Sequence, residues 1–244
     1  MPLNRVTFTG ADDHTSPAAM LEISRRFPFV EWGILVSGHA GASSRFPSRV
    51  WIDQLHNVTQ GEAQLSVHFC GSFLRMLMLG ERLPRALPMR EFRRAQLNFH
   101  GQPWAFNAGG CARALFDLGV GEVIFQIDGH QGQHYLAEIY GNKQAFSCVP
   151  LFDESHGAGV GPPKWPVPFD PKTYHGYAGG LGPKNLRTEL PLIERASQGC
   201  PYWVDMETHV RTNEEFDLEK VVECAIIARE FMNVTGDSSG ESTP

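Results

Sequence analysis

The sequence predicts a single-domain (β/α)8 TIM barrel over residues 1–235, followed by a disordered polar tail at 236–244. Three observations carry that expectation. Eight strand-like runs alternate with helical or loop stretches, which means a parallel sheet, and eight such strands close on themselves. The 244 residues are close to the usual size of one barrel and enough to bury a large core. Finally, an apolar strand at Tyr177 runs into Gly179-Gly180 and a helix opening at Pro183, and a second apolar strand from Tyr202 ends in the acidic, hydroxyl-bearing turn Asp205-Met206-Glu207-Thr208. The last two units of a barrel read this way when their loops hold a small anion.

Taken in order, Arg5 to Thr9 opens the barrel, and Ser16-Pro17 supplies an N-cap and a first-turn proline for the first helix. Strands follow at Val30 to Ser37, Gln64 to Cys70, Arg94 to His100, Glu122 to Asp128, Ala145 to Asp153, Tyr174 to Gly179 and Tyr202 to Glu207. Leu83 to Arg93 reads as an irregular connection. Gly157 to Pro171 holds too many glycines and prolines for a sixth helix and is expected as a long loop over the barrel mouth, a candidate lid. Gly182-Pro183 opens the seventh helix. The last helix is expected from Thr212-Asn213, with Glu214, Glu215 and Asp217 at its positive end and Leu218, Val221, Val222, Ala225, Ile226 and Phe231 at helical spacing.

Composition narrows the function. A net charge of -6 and the lack of any Lys/Arg cluster with interleaved aromatics argue against a nucleic-acid partner. The first ten residues lack the charged and apolar regions of a secretory leader, and no run is long enough to span a bilayer, so a cytoplasmic protein with no membrane partner is expected. Five widely spaced cysteines without a C-x-x-C pair read as reduced, buried small hydrophobes rather than a disulfide frame or zinc site. Nothing in the sequence indicates an oligomeric state.

Strand parity locates the site. In a closed parallel barrel one parity faces the helices and the other the lumen. Val67 and Phe69 alternate with Ser66, His68 and Cys70; Leu97 and Phe99 with Gln96, Asn98 and His100; Val123, Phe125 and Ile127 with Ile124, Gln126 and Asp128. Thr7, Thr9, Asp153, Asp205 and Glu207 extend this polar lumen set to the carboxyl ends of strands, where this fold builds its active sites. Asp153, at a strand end before the glycine loop, suits general acid or base work; the competing reading is a carboxylate capping loop amides. His68, His100 and Asp128 could supply a metal site of imidazole and carboxylate ligands, although hydrogen-bonded pocket residues are the commoner outcome. Gly179-Gly180 could admit a phosphate to backbone amides or serve a tight turn. Arg45 could clamp a substrate carboxylate or phosphate or stay a surface charge.

The order of these segments resembles the phosphoribosylanthranilate isomerase family. Val6-Thr7-Phe8-Thr9-Gly10 is similar to its V-K-I-C-G, Ser43-Ser44-Arg45-Phe46 to its S-P-R-Y, and Leu97-Asn98-Phe99-His100-Gly101 to its V-Q-L-H-G. Leu151-Phe152-Asp153 resembles L-L-D, Ala178-Gly179-Gly180-Leu181-Gly182-Pro183-Lys184-Asn185 resembles S-G-G-L-N-P-E-N, and Val204-Asp205 resembles the start of V-D-V-S-S-G. The resemblance implies a general acid at Asp153, a carboxylate-binding arginine at Arg45, and phosphate contacts at Gly179, Gly180 and Asp205; His100, Asp128 and Glu207, from the strand ends, complete the expected substrate-binding set. The family's basic cysteine matches Thr9, with Asp12 a nearby substitute. Its two serines after strand eight are Glu207 and Thr208 and its glycine is His209, which sets a carboxylate against a phosphate at a cost on the order of several kcal/mol. The expectation is an isomerase-like enzyme, without cofactor, acting by acid/base catalysis on a small sugar-derived or carboxylated substrate, with the family's own reaction weak or absent. The alternatives are a metal-dependent epimerase, aldolase or hydrolase using His68, His100 and Asp128, and a catalytically silent ligand-binding barrel.

Overall fold

The computed structural model describes residues 3–38, 45–84, 87, 89–99, 105–128, 134–138, 147–155, 158–170 and 172–233. His100 and the tail at 236–244 lie outside them. Eight parallel strands close into one barrel in chain order: β1 (Leu3–Thr9), β2 (Val30–Val36), β3 (Gln64–Phe69), β4 (Arg94–Leu97), β5 (Glu122–Ile127), β6 (Ser147–Phe152), β7 (His175–Ala178) and β8 (Tyr202–Met206). Closure is made by β1 against β8, with Thr7 opposite Asp205. All eight expected strands are present, each within a few residues of its expected span.

Among the described residues, six helices pack outside: α1 (Pro17–Arg26), α2 (Arg49–Thr59), α3 (Gly71–Leu79), α4 (Ala108–Asp117), α5 (Leu186–Ser197) and α6 (Leu218–Asn233), with a further helical turn at 134–138. None of them is long and apolar enough to cross a membrane. Ser16 caps α1 as expected, accepting from the Ala19 amide. Two helix starts need correction. Gly182-Pro183-Lys184 forms a turn instead, and α5 begins three residues later, where the Asn185 side chain bonds back to the Gly182 amide at 2.9 Å. Residues 211–216 form a two-stranded hairpin, β9 (Arg211–Thr212) and β10 (Glu215–Phe216), whose turn residues Asn213 and Glu214 both have positive φ. Helix α6 starts only after Asp217, whose carboxylate accepts from the Glu219 and Lys220 amides.

No helix joins β6 to β7 among the described residues, in line with the expected loop. Trp165 fills that place. It is 6% exposed, packs edge-on to Tyr177 at 5.8 Å, and its indole N–H donates to Glu189 at 2.8 Å. The connection after Gly80 is irregular, with Leu83, Leu87 and Met89 packed on the core.

The core obeys the parity expected from sequence. Val6, Phe8, Trp32, Ile34, Val67 and Phe69 join the helices in the main apolar cluster, while Ile124, Val149, Leu151, Ala178 and Trp203 form a separate one of the opposite parity, inside the barrel. The polar lumen needs space. A side chain on Gly33 would sit 2.3 Å from the Thr9 hydroxyl and 2.7 Å from the His68 ring, so the missing Cβ lets those two groups share the interior. All five cysteines are buried and none is in a disulfide.

Candidate active site

A cavity of about 50 Å³ opens at the carboxyl end of the barrel. Its wall draws on both termini of the chain: Thr9 from β1, His68 from β3, Asp153 after β6, Asp205 from β8 and Glu207 beyond it. Gln96, Asn98 and Gln126 line it from below, and Gly159, Gly179, Gly180, Thr208 and His209 line the loop side. Among the described residues, no lysine or arginine lines it.

The two aspartates are held differently. Both oxygens of Asp153 accept hydrogen bonds: Oδ2 from the Gln126 amide at 2.9 Å, Oδ1 from the Ser155 amide at 3.0 Å and the Ser155 hydroxyl at 2.6 Å. Asp205 is 7% exposed and accepts a hydrogen bond from the Thr9 hydroxyl at 2.8 Å. Burial holds its carboxyl well above the usual carboxylate range; the Thr9 bond opposes this, and the nearby Glu207, Asp153 and Glu31 reinforce it. Glu207 is also raised, by burial first, with Arg45 pulling the other way. Its side chain keeps 27% of its surface exposed, and Arg45 Nη1 donates to it at 2.9 Å.

His68 is fully buried beside Ser66, with 3.1 Å between Nε2 and Oγ, and burial pushes it down to about 3, so the ring is neutral. Cys70, at the end of β3, does not replace the missing basic thiol: burial pushes it up to about 12.

The expected site residues divide into two groups. Thr9, His68, Asp153, Gly179, Gly180, Asp205 and Glu207 converge on the one cavity. Asp12 does not: it is paired with Arg211 at 3.2 Å and accepts from the His14 amide at 3.0 Å, while Arg211 also donates to the Gly10 carbonyl at 2.6 Å. This carboxylate ties the end of β1 to the hairpin. Arg45 lies beside the mouth but is engaged by Glu207, with Glu214 at 3.7 Å, rather than aimed into the cavity. Asp128 ends β5 away from the cavity lining. Among the described residues no group of three His, Cys, Asp or Glu side chains is placed to hold a metal ion.

Sequence reasoning passed over Glu31. It sits at lumen parity on β2 with Arg94 of β4 at 2.9 Å, forming a charged floor one layer below the cavity. Continuing the parity count toward the amino ends of the strands would have found it.

No protein-family model matches the chain, and no curated protein matches it in sequence. In fold it is similar to the solved structure of N-(5'-phosphoribosyl)anthranilate isomerase from Pyrococcus furiosus, at 14% identity and a TM-score of 0.53, covering 93% of this chain and 98% of that one. The phosphoribosyl anthranilate isomerase from Thermococcus kodakaraensis is similar at 14% identity and a TM-score of 0.54, covering 93% of this chain and 99% of that one. The likeness is one of architecture along nearly the whole of both chains.

Proposed function

We propose that this barrel is an acid/base enzyme of the isomerase type, acting on a small sugar-derived substrate, with Asp153 and Asp205 as its proton-transfer pair. The observation that carries this reading is the unequal environment of two carboxyl groups on one cavity: Asp205 is buried and disposed to keep its proton, while both oxygens of Asp153 accept hydrogen bonds, three in all, from Gln126 and Ser155. Two carboxyl groups held in such different surroundings are equipped to give and take a proton in one turnover. Thr9 holds Oδ1 of Asp205, leaving the other oxygen to face substrate. Aldose–ketose isomerisation needs just these acts, removal of a proton beside a carbonyl and protonation of its oxygen.

The reaction of the two fold relatives is proposed to be absent or very weak, because Thr9 stands where a basic cysteine is expected and Glu207 faces the place of the phosphate. The double substitution Thr9→Cys, Glu207→Ser should bring back measurable phosphoribosylanthranilate isomerisation or binding of a phosphosugar analogue. If the unmodified protein complements a strain lacking that isomerase, this part of the reading is wrong.

The general test is deuterium wash-in at carbon 2 of a panel of aldoses and amino aldoses in heavy water, followed by proton NMR. Asp153→Asn and Asp205→Asn should each slow exchange on the responsive sugar by about 10² to 10⁴, the usual contribution of one positioned acid or base. Exchange unaffected by either change would reject the pair. Binding without any exchange would support the silent ligand-binding barrel instead.

A further inference from the structure

The Gly179-Gly180 turn is covered by the chain itself. Gly180, with φ of +63°, has Gly161 N 2.5 Å and Gly159 O 2.9 Å from the position a Cβ would take, so the backbone of the β6–β7 loop lies directly on the Gly179-Gly180 turn. His209 Nδ1 donates to the Gly180 carbonyl at 2.9 Å, and the Asn185 side chain takes both that carbonyl, at 2.8 Å, and the Gly182 amide. The Gly182 amide, a natural donor to an anion at this turn, is therefore already used.

The remaining open space is rich in acceptors. Asp153, Asp205 and Glu207 all border it, and no lysine or arginine does among the described residues. A second, independent feature points the same way: Gln96, 4% exposed and on the cavity wall, gives its N–H to Asn98 at 2.7 Å and keeps Oε1 with no hydrogen-bond partner among the described residues. A buried carbonyl oxygen without a donor is a rare and costly arrangement that a ligand N–H would relieve.

We infer that the substrate carries a protonated amine and hydroxyl groups but no phosphate, its ammonium end entering between Asp153, Asp205 and the Gln96 carbonyl. This rests on the acid/base reading of the same cavity and adds the chemical class. An ammonium offers three donors, matching the Gln96 carbonyl and the acceptor oxygens of Asp153 and Asp205, and hydrogen bonds from a charged donor are roughly twice as strong as neutral ones. A phosphate would bring further acceptors to a wall already rich in them. The small size of the cavity fits the amine-bearing end of a molecule.

The test uses a matched three-carbon series: 3-amino-1,2-propanediol, glycerol and glycerol 3-phosphate, with inorganic phosphate as a fourth probe. Each is titrated at neutral pH into the isotopically labelled full chain and followed by NMR. The amine should bind at least tenfold more tightly than glycerol, moving the Thr9, Asp153 and Asp205 amides, while neither phosphate shifts the Gly179 to Gly182 amides. Gln96→Met, close in volume, should lower amine affinity about tenfold, with the folded state checked by its NMR spectrum. Saturable phosphate binding at Gly179 to Gly182, an amine no tighter than glycerol, unchanged amine affinity in Gln96→Met, or no binding of any probe would each overturn the inference. Its failure is separable from that of the acid/base reading. Amine binding alongside deuterium exchange that ignores Asp153→Asn would reject the catalytic pair and keep the ligand class; exchange on a phosphorylated sugar, lost in Asp153→Asn, would do the reverse.

Discussion

The floor and the mouth of this barrel are both lined with buried charge, and they are balanced differently. At the floor, Glu31 and Glu122 face Arg94 and Arg5: Arg94 donates to Glu31 at 2.9 Å and to Glu122 at 2.6 Å, Arg5 lies 3.6 Å from Glu31, and the Arg94 guanidinium stacks 4.3 Å over the Trp203 ring. At the mouth, Glu207 is served by Arg45 with Arg211 nearby, while Asp153 and Asp205 have no ion pair with an arginine among the described residues. The outcome for the carboxyl groups is opposite. Burial works against the charge of Glu31, but Arg94 and Arg5 overcome it and hold that carboxyl below its usual range; Asp205 has no such partner and stays well above it. Balanced charge at the amino end of barrel strands is what stability requires, and unbalanced charge at the carboxyl end is what chemistry requires.

The comparison sharpens most at the floor. Glu31→Gln leaves Arg94 buried with half its counter-charge gone, and breaking such a pair costs about 3–5 kcal/mol. Chemical denaturation at neutral pH should show that loss, and a change below about 1 kcal/mol would mean the floor charges are dispensable. Next comes the layer between the two. Gly33→Ala forces a methyl group against Thr9 and His68, and overpacking of this kind costs about 1–3 kcal/mol. It should also disturb the orientation of Thr9, so the wash-in rate should fall together with the stability.

At the mouth the sign reverses. A carboxyl group whose folded pKa lies above its unfolded value adds stability only below the unfolded value, near 3.9, and that stability is lost as pH rises toward the folded one. Glu31 behaves oppositely, stabilising above about 4.3 and losing that effect as pH falls through its depressed value. Asp205→Asn should therefore melt higher than the parent, with an advantage that grows from about pH 4 upward, while being impaired in exchange; each kcal/mol gained is about 2–4 °C in a chain of this size. A variant that melts lower at neutral pH would show the mouth to be as well paired as the floor. The smallest effect is expected for Thr9→Val, which removes one hydrogen bond to Asp205, about 1 kcal/mol.

Most of the architecture was legible because parallel strands buried on both faces announce themselves as apolar runs, and parity separated the lumen from the helix face. The same parity named Thr9, His68, Asp153, Asp205 and Glu207 as neighbours. What it missed are contacts between residues distant in the chain. Arg45 meets Glu207 across 162 residues and Arg211 meets Asp12 across 199, so neither the engagement of the expected clamp nor that of the expected substitute base could be read locally. The hairpin at 211–216 was hidden for another reason. Its turn sets Glu214 at φ of +65°, a conformation unusual for glutamate, and it is held there by Arg211 side-chain bonds to the Glu214 carbonyl, whereas the local run of acids reads as a helix start.

The measurement closest to the central claim is a pH titration of the Asp205 side-chain carboxyl by carbon-13 NMR, in the parent and in Asp153→Asn and Glu207→Gln. Asp205 should remain protonated at pH values where exposed aspartates have long ionised, and its transition should move down in both variants as a neighbouring charge is removed. A parent Asp205 that ionises near pH 4, unaffected by either substitution, would contradict the account.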